Sequence, residues 1–179
     1  VNVFKPNFPN TNFHVLNTSG VLHFPEAQYN MVRTGISLYG YGNHPSVDAQ
    51  LKPILTLKTV ISQIHTLKKG DTLGYNRAFV AKAKTLTATL PLGHADGIGR
   101  IYGNGRGYVM IKGQQASILG NVCMDMIMVD VTDIDCQAGD TVIVIGPNAS
   151  AEHLANAAGT ISYDLITGLS QRIKRNVIS

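Results

Sequence analysis

The chain has 179 residues, 44% of them hydrophobic, and 15 Lys and Arg against 11 Asp and Glu give it a net charge of +4. That composition belongs to a globular protein of one or two domains. No run of like charge exceeds Lys68-Lys69, which excludes a basic stripe for nucleic acid, and no apolar run reaches the 18 residues of a membrane span. The start, VNVFKPNFPN, lacks the basic-then-apolar order of a secretion signal, and its want of an initiator Met suggests a chain cut from a longer one. Cys123 and Cys136 make no C-x-x-C pattern and suit a reducing compartment, hence a cytoplasmic location.

In chain order, residues 13–16 form a short apolar run that ends abruptly at Asn17-Thr18-Ser19-Gly20. Residues 31–36 (MVRTGI) form a second, with Arg33 inside it. Buried parallel strands look like this, and α/β folds place their chemistry at the polar C-terminal ends of such strands. Two units are only a remnant of such a sheet, since a full barrel needs about 250 residues. Residues 40–53 read as a linker, which sets a domain boundary between residues 45 and 46. Beyond it the pattern changes to period two. Residues 54–64, 85–90, 108–111, 116–119, 126–131 and 141–145 are expected strands, with a hairpin turn around Gly113. Gly70-Asp71-Thr72 and Gly139-Asp140-Thr141 echo each other as two similar strand starts. Many short strands separated by turn residues predict a mainly β fold, a sandwich or a small barrel. At the end, Ser150 is expected to cap a helix stopped by Gly159, residues 161–169 look helical, and residues 171–178 form a basic tail with some β character.

Few patterns carry chemistry by themselves. The Gly-rich stretch 97–107 (GIGRIYGNGRG) lacks the strand-before, helix-after setting of a phosphate loop and reads as a mobile connection. The six His show no metal-ligand spacing. Asp125 and Asp130 would lie on opposite faces of a strand and make no acid–base pair. Arg33 in an apolar run is anomalous, because a buried guanidinium needs acceptors, either a structural partner or a ligand. The stretch 67–79, LKKGDTLGYNRAF, sets a Gly beside Tyr75 at a strand end. Tyr75 is then either a packed ring whose hydroxyl bonds a neighbour or an outward-pointing proton donor and acceptor.

Taken in order, NTSGVLHFPEAQYNMVRTGISLYG, KKGDTLGYNRAF, LPLGHADG, LGNVCMDMIMVDV and AGTISYDLITGLSQRIKR closely resemble alanine racemase over nearly the whole chain. The wording LPLGHADG and GNVCMDMIMVDV is similar to racemases fused to the ligase that adds D-Ala-D-Ala in peptidoglycan synthesis. The resemblance implies a fold-type III enzyme of pyridoxal 5'-phosphate (PLP): the last strands of an incomplete (β/α)8 barrel over residues 1–45, then a β-rich C-terminal domain over 46–179. It implies interconversion of L- and D-alanine by a homodimer whose active site is shared between subunits. Tyr75 matches the catalytic tyrosine, donated by the partner subunit and opposed to the lysine that carries the cofactor. A phenol holds its proton at neutral pH, so this role calls for cations beside it. Thr18, the backbone N–H groups of Gly35 and Ile36, and the Tyr163 hydroxyl match the ligands of the cofactor phosphate. Arg33 matches the arginine facing the pyridine nitrogen. Met124 matches a residue whose backbone contacts the substrate, Asp125 stands beside it, and His94 takes a channel position that is commonly tyrosine. None of the nine lysines falls in the family's cofactor-lysine motif, so the chain is expected to be inactive alone. Two alternatives stand beside this reading: the β domain of a PLP-dependent amino-acid decarboxylase, and a non-catalytic basic β-barrel that binds RNA.

Overall fold

The computed structural model describes residues 1–42 and 44–178. Asn43, inside the expected linker, and Ser179, the last residue of the expected β-rich domain, lie outside the described residues. The chain divides into two compact units, Val1–Ile54 and Leu55–Ser179.

The second unit holds nine strands among its described residues: β1 (Leu57–Val60), β2 (Gln63–Leu67), β3 (Thr72–Leu73), β4 (Phe79–Val80), β5 (Thr85–Leu90), β6 (Tyr108–Ile111), β7 (Gln114–Leu119), β8 (Ile127–Asp130) and β9 (Thr141–Ile145). Seven of them form one antiparallel sheet in the order β1-β9-β6-β7-β8-β5-β2, and β3 pairs with β4. The two edges of that sheet, β1 and β2, are consecutive in sequence. Laid flat, seven strands would hold their edges roughly 29 Å apart. Three peptide steps from Val60 to Gln63 span at most about 11 Å. The sheet therefore curls until the end of β1 comes near the start of β2, and the expected mainly β fold is a half-barrel.

The corner that closes it corrects one expectation. Residues 54–64 do not form one long strand, because the chain changes neighbours at Ile61-Ser62. Ile61 exchanges backbone hydrogen bonds with the β9 side, donating to the Asp140 carbonyl and accepting from Gly139 N–H, whereas Ser62 N–H donates to the Thr89 carbonyl in β5. The buried Ile61 keeps the alternation running through the bend, so the period-two pattern carries no break.

Inside the curl one row from each of β5 to β9 interlocks. Ala88 and Leu90 of β5 oppose Val129 and Ile127 of β8, Ile118 of β7 opposes Val129, Val109 of β6 opposes Ala116, and Ile111 opposes Val142 of β9. All are buried, as the alternation of inward and outward side chains requires.

Turn chemistry fixes the register of this row. β6 and β7 are joined by Lys112-Gly113, both at positive φ (48° and 81°), a two-residue hairpin turn tighter than the four-residue one expected. The two echoed Gly-Asp sequences fold alike. Lys68 N–H donates to Asp71 Oδ2 at 2.7 Å and Gln137 N–H to Asp140 Oδ2 at 2.8 Å, with Gly70 and Gly139 at φ 92° and 91°.

The Gly-rich stretch 97–107 is not a loose connection. Tyr102 is buried within it, and the backbone at Gly97 and Gly103 presses against the carbonyls of Gly168 and Gly120. At the end of the unit α3 (Ala151–Ala157) is capped by Ser150, whose Oγ accepts from His153 N–H at 3.1 Å, and it packs on α4 (Ser162–Thr167). The tail at 171–178 forms no strand.

In the first unit the two expected strands shrink, among the described residues, to a single parallel bridge, Asn17 with Arg33. Arg33 N–H donates to the Leu16 carbonyl at 2.9 Å. Around that bridge lie α1 (Thr18–His23), short 3-10 turns and α2 (Pro45–Asp48).

The interlocked row makes Ile118 the sharpest test of the core. Ile118→Ala should cost about 2–5 kcal/mol in urea unfolding, whereas Ile101→Ala, at an exposed site, should stay within about 0.5 kcal/mol. Equal effects would contradict the assigned core.

Candidate active site

The stretch that carries Tyr75 is held by its backbone and leaves its ring outside. β3 and β4 pair through Leu73 and Phe79, and the five residues between them bulge outward with Gly74, Asn76 and Arg77 at positive φ. The Tyr75 carbonyl accepts from Asn121 Nδ2 at 3.1 Å, and Asn121 Oδ1 accepts from Asn104 Nδ2 at 3.2 Å. Tyr75 itself is 70% exposed. A fixed main chain beneath a free phenol suits a group that acts on something outside its own domain.

Beside it two segments meet at main-chain distance. His94 opens a 3-10 turn, His94–Asp96, whose N–H groups reach across to the segment before β8. His94 N–H donates to the Cys123 carbonyl and Ala95 N–H to the Met124 carbonyl, each at 3.0 Å. Gly93 passes so close to those two carbonyls that no side chain fits at that position. The Met124 side chain is exposed and its carbonyl is engaged.

Three acceptor oxygens around one guanidinium complete the lip. Arg172 donates through Nε to Asp96 Oδ1 at 2.7 Å and through Nη2 to Asp96 Oδ2 at 2.9 Å. The same Nη2 reaches Asp125 Oδ1 at 2.6 Å. Asp96 Oδ2 also accepts from Gly93 N–H at 2.8 Å, and the residue is only 7% exposed. The hydrogen bond from Arg172, more than its charge alone, holds the Asp96 carboxyl below the ordinary carboxylate range, against the opposing pull of burial. The two carboxylates in turn raise the affinity of Arg172 for its proton.

The structure thus brings Tyr75, His94, Met124 and Asp125 together. Tyr75, Met124, Asp125, Met126 and Met128 line a depression of about 400 Å³. Tyr75, His94, Arg100, Asn121 and Met124 line another of about 390 Å³. Arg100 is therefore a cation on the same depression as the phenol. Asp125 and Asp130 do not pair: Asp125 is held by Arg172 and Asp130 by Thr132. Tyr163 lies on α4, half exposed, and lines neither depression.

In the first unit Thr18, Gly35 and Ile36 are neighbours. The Thr18 hydroxyl accepts from Gly35 N–H at 2.8 Å, and Ile36 opens the 3-10 turn Ile36–Tyr39. Arg33 is exposed rather than buried, and it donates to His14 Nδ1 at 2.7 Å. The expected burial fails because only a bridge, not a sheet, surrounds it. Sequence reasoning passed over Arg172, Asp96 and Asn121. Arg172 stands 76 and 47 residues from its partners, and no local spacing ties it to them.

Residues 54–177 match the family model "Alanine racemase, C-terminal domain". The chain is 42% identical over 171 residues to an alanine racemase of Halothermothrix orenii and 40% over 172 residues to that of Carboxydothermus hydrogenoformans. These alignments take in 90% of the chain but only 44% and 46% of the relatives, so the chain spans less than half their length. Among solved structures it is similar to the alanine racemase of Bartonella henselae with covalently bound pyridoxal phosphate (TM-score 0.85, 33% identity, 95% of this chain and 48% of that one). It is likewise similar to the alanine racemase of Bacillus anthracis with bound L-Ala-P (TM-score 0.84, 30% identity, 96% and 46%).

The geometry around Asp96 sets a pH dependence. A carboxyl with a lowered folded-state pKa stabilises the fold above the ordinary value of 3.8, and that stability is lost as the pH falls through the lowered value. Asp96→Asn should therefore lower stability at pH 7 and flatten the decline in acid. Urea unfolding at pH 7, 5 and 3 measures it; an unchanged acid decline would contradict the pairing.

Proposed function

The chain belongs to the alanine racemase family, and we propose that it works as the C-terminal part of a PLP enzyme that interconverts L- and D-alanine. The observation that carries this reading is the gathering of Tyr75, His94, Met124 and Asp125 on one lip, with the Tyr75 ring free and its backbone tied down.

The first unit fits the cofactor's phosphate. A hydroxyl, Thr18 Oγ1, and the Gly35 N–H already bond each other, and the Ile36 N–H adjoins them at the head of a turn that supplies it no carbonyl partner. A phosphate oxygen takes the donors of such a cluster readily. Arg33, a permanent cation that donates to His14 Nδ1, is assigned to the pyridine nitrogen, where its charge disfavours protonation. When bound, the cofactor supplies an electron sink for the bond to the α-hydrogen of the amino acid. The cation at Arg33 tempers that sink, which favours return of a proton to the same carbon over transfer of the amino group.

Racemisation must take the α-proton from one face and return one to the other, so it needs two opposed bases. Tyr75 is assigned to one face and the family's cofactor lysine to the other. A carboxylate accepts only from donors, so the Met124 N–H is the backbone group assigned to the substrate carboxylate. His94 and Arg100 line the approach. Tyr75 serves the site of a partner subunit, so the working unit is a homodimer, in the cytoplasm, supplying D-alanine for peptidoglycan. The chain alone, without the cofactor lysine, does not racemise.

In the intact enzyme Tyr75→Phe should slow both directions by about 10²–10⁴-fold, while the cofactor still binds. Exchange of the α-proton with solvent deuterium should persist from the one enantiomer whose proton faces the lysine. Racemisation at near the original rate would show that Tyr75 is only a surface tyrosine.

A further inference from the structure

The geometry points to Arg172 as a positioning residue that clamps the turn carrying His94 to the Met124-Asp125 segment and so fixes the lip beside Tyr75. The inference deepens the racemase reading of this site, and its kinetic part rests on that reading.

The clamp closes a ring of hydrogen bonds. From Arg172 the ring passes through the fork to Asp96, and from Asp96 Oδ2 to the N–H of Gly93. It crosses by the His94 and Ala95 N–H groups to the Cys123 and Met124 carbonyls, and returns from Asp125 to Arg172. Each main-chain bond in the ring is ordinary. What the guanidinium adds is a planar fork that spans two carboxylates at once, which an ammonium, a point charge, does not reproduce.

Charge gives the clamp a second role. Asp125 lines the depression beside Tyr75 and Asp96 is buried, and Arg172 supplies both ion pairs that reach them among the described residues. Alanine brings a carboxylate of its own. Without Arg172 the Asp125 carboxylate on the wall of the depression would face it uncompensated, which raises the concentration needed to fill the site before it touches the chemistry. Arg172 is half exposed, and the tail keeps a separate anchor, the Ser170 N–H on the Asp96 carbonyl at 3.1 Å. Removing the side chain therefore leaves the barrel core and the path of the tail in place.

The test uses the intact enzyme with Arg172→Ala and Arg172→Lys, read by amide hydrogen exchange and by steady-state kinetics. In Arg172→Ala, exchange over residues 93–97 and 122–126 should rise together by about tenfold, while the hairpin 108–119 keeps its protection. The alanine KM should rise by about tenfold and kcat change less. Arg172→Lys should recover part of the KM, through its charge, and little of the protection, for want of the fork. Unchanged exchange at both lip segments would overturn the clamp whatever the kinetics, and so would an equal loss of protection in the hairpin. Should the unaltered enzyme fail to racemise alanine, the racemase reading falls, and the exchange pattern still decides the clamp.

Discussion

At residue 93 the backbone runs so close to the carbonyls of Cys123 and Met124 that a methyl group has nowhere to go. That approach lets His94 and Ala95 donate to the same two carbonyls, and it puts the Gly93 N–H within reach of Asp96. Two segments from opposite ends of the β5-to-β8 stretch thereby become one surface. The lip beside Tyr75 depends on that junction. Were it wider, the Arg172 fork could not span Asp96 and Asp125, and the depressions beside Tyr75 would have no common wall. The half-barrel serves the junction in turn, because β5 and β8 are direct neighbours whose register brings Leu90 opposite Ile127 and so delivers both segments to one rim.

The energetics separate the parts by how they are built. The interlocked aliphatic row holds the barrel by burial, which is indifferent to pH. The lip is held by main-chain bonds and charge-assisted ones, which are directional and depend on the ionisation of Asp96. A rigid barrel thus supports a polar rim that responds to its surroundings, while Tyr75 is tied only at its carbonyl and keeps its ring free.

Much of this was readable from the residues because local chemistry decides it. The echo of Gly70-Asp71 and Gly139-Asp140 folded into one turn used twice, and the strands at 85–90, 108–111 and 141–145 appeared where alternation placed them. Ser150 and Gly159 bounded the helix they were expected to bound. The failures share a cause: each depended on neighbours remote in sequence. Alternation ran unbroken through Ile61-Ser62, since a buried residue at a corner looks like one in a strand. The glycines of 97–107 signalled slack, yet several are there because another backbone leaves no room for a side chain. Arg33 looked buried because its run is apolar, although among the described residues the run has only one parallel partner. Arg172 sat unremarked in a basic tail until the fold carried Asp96 and Asp125 to it. The resemblance supplied roles for Tyr75, Met124 and His94 that spacing alone left open.

The central claim is that this lip serves a site in another subunit, and mixing two inactive enzymes tests it most directly. One carries Tyr75→Phe and keeps the cofactor lysine; the other keeps Tyr75 and has lost that lysine. After the subunits are scrambled, half of the dimers are mixed, and each mixed dimer joins one intact lysine to one intact tyrosine across the interface. The account predicts that racemisation returns to roughly a quarter of the unaltered level. If Tyr75 acted within its own subunit, no site in any dimer would be complete, and a mixture as inactive as its components would contradict the account.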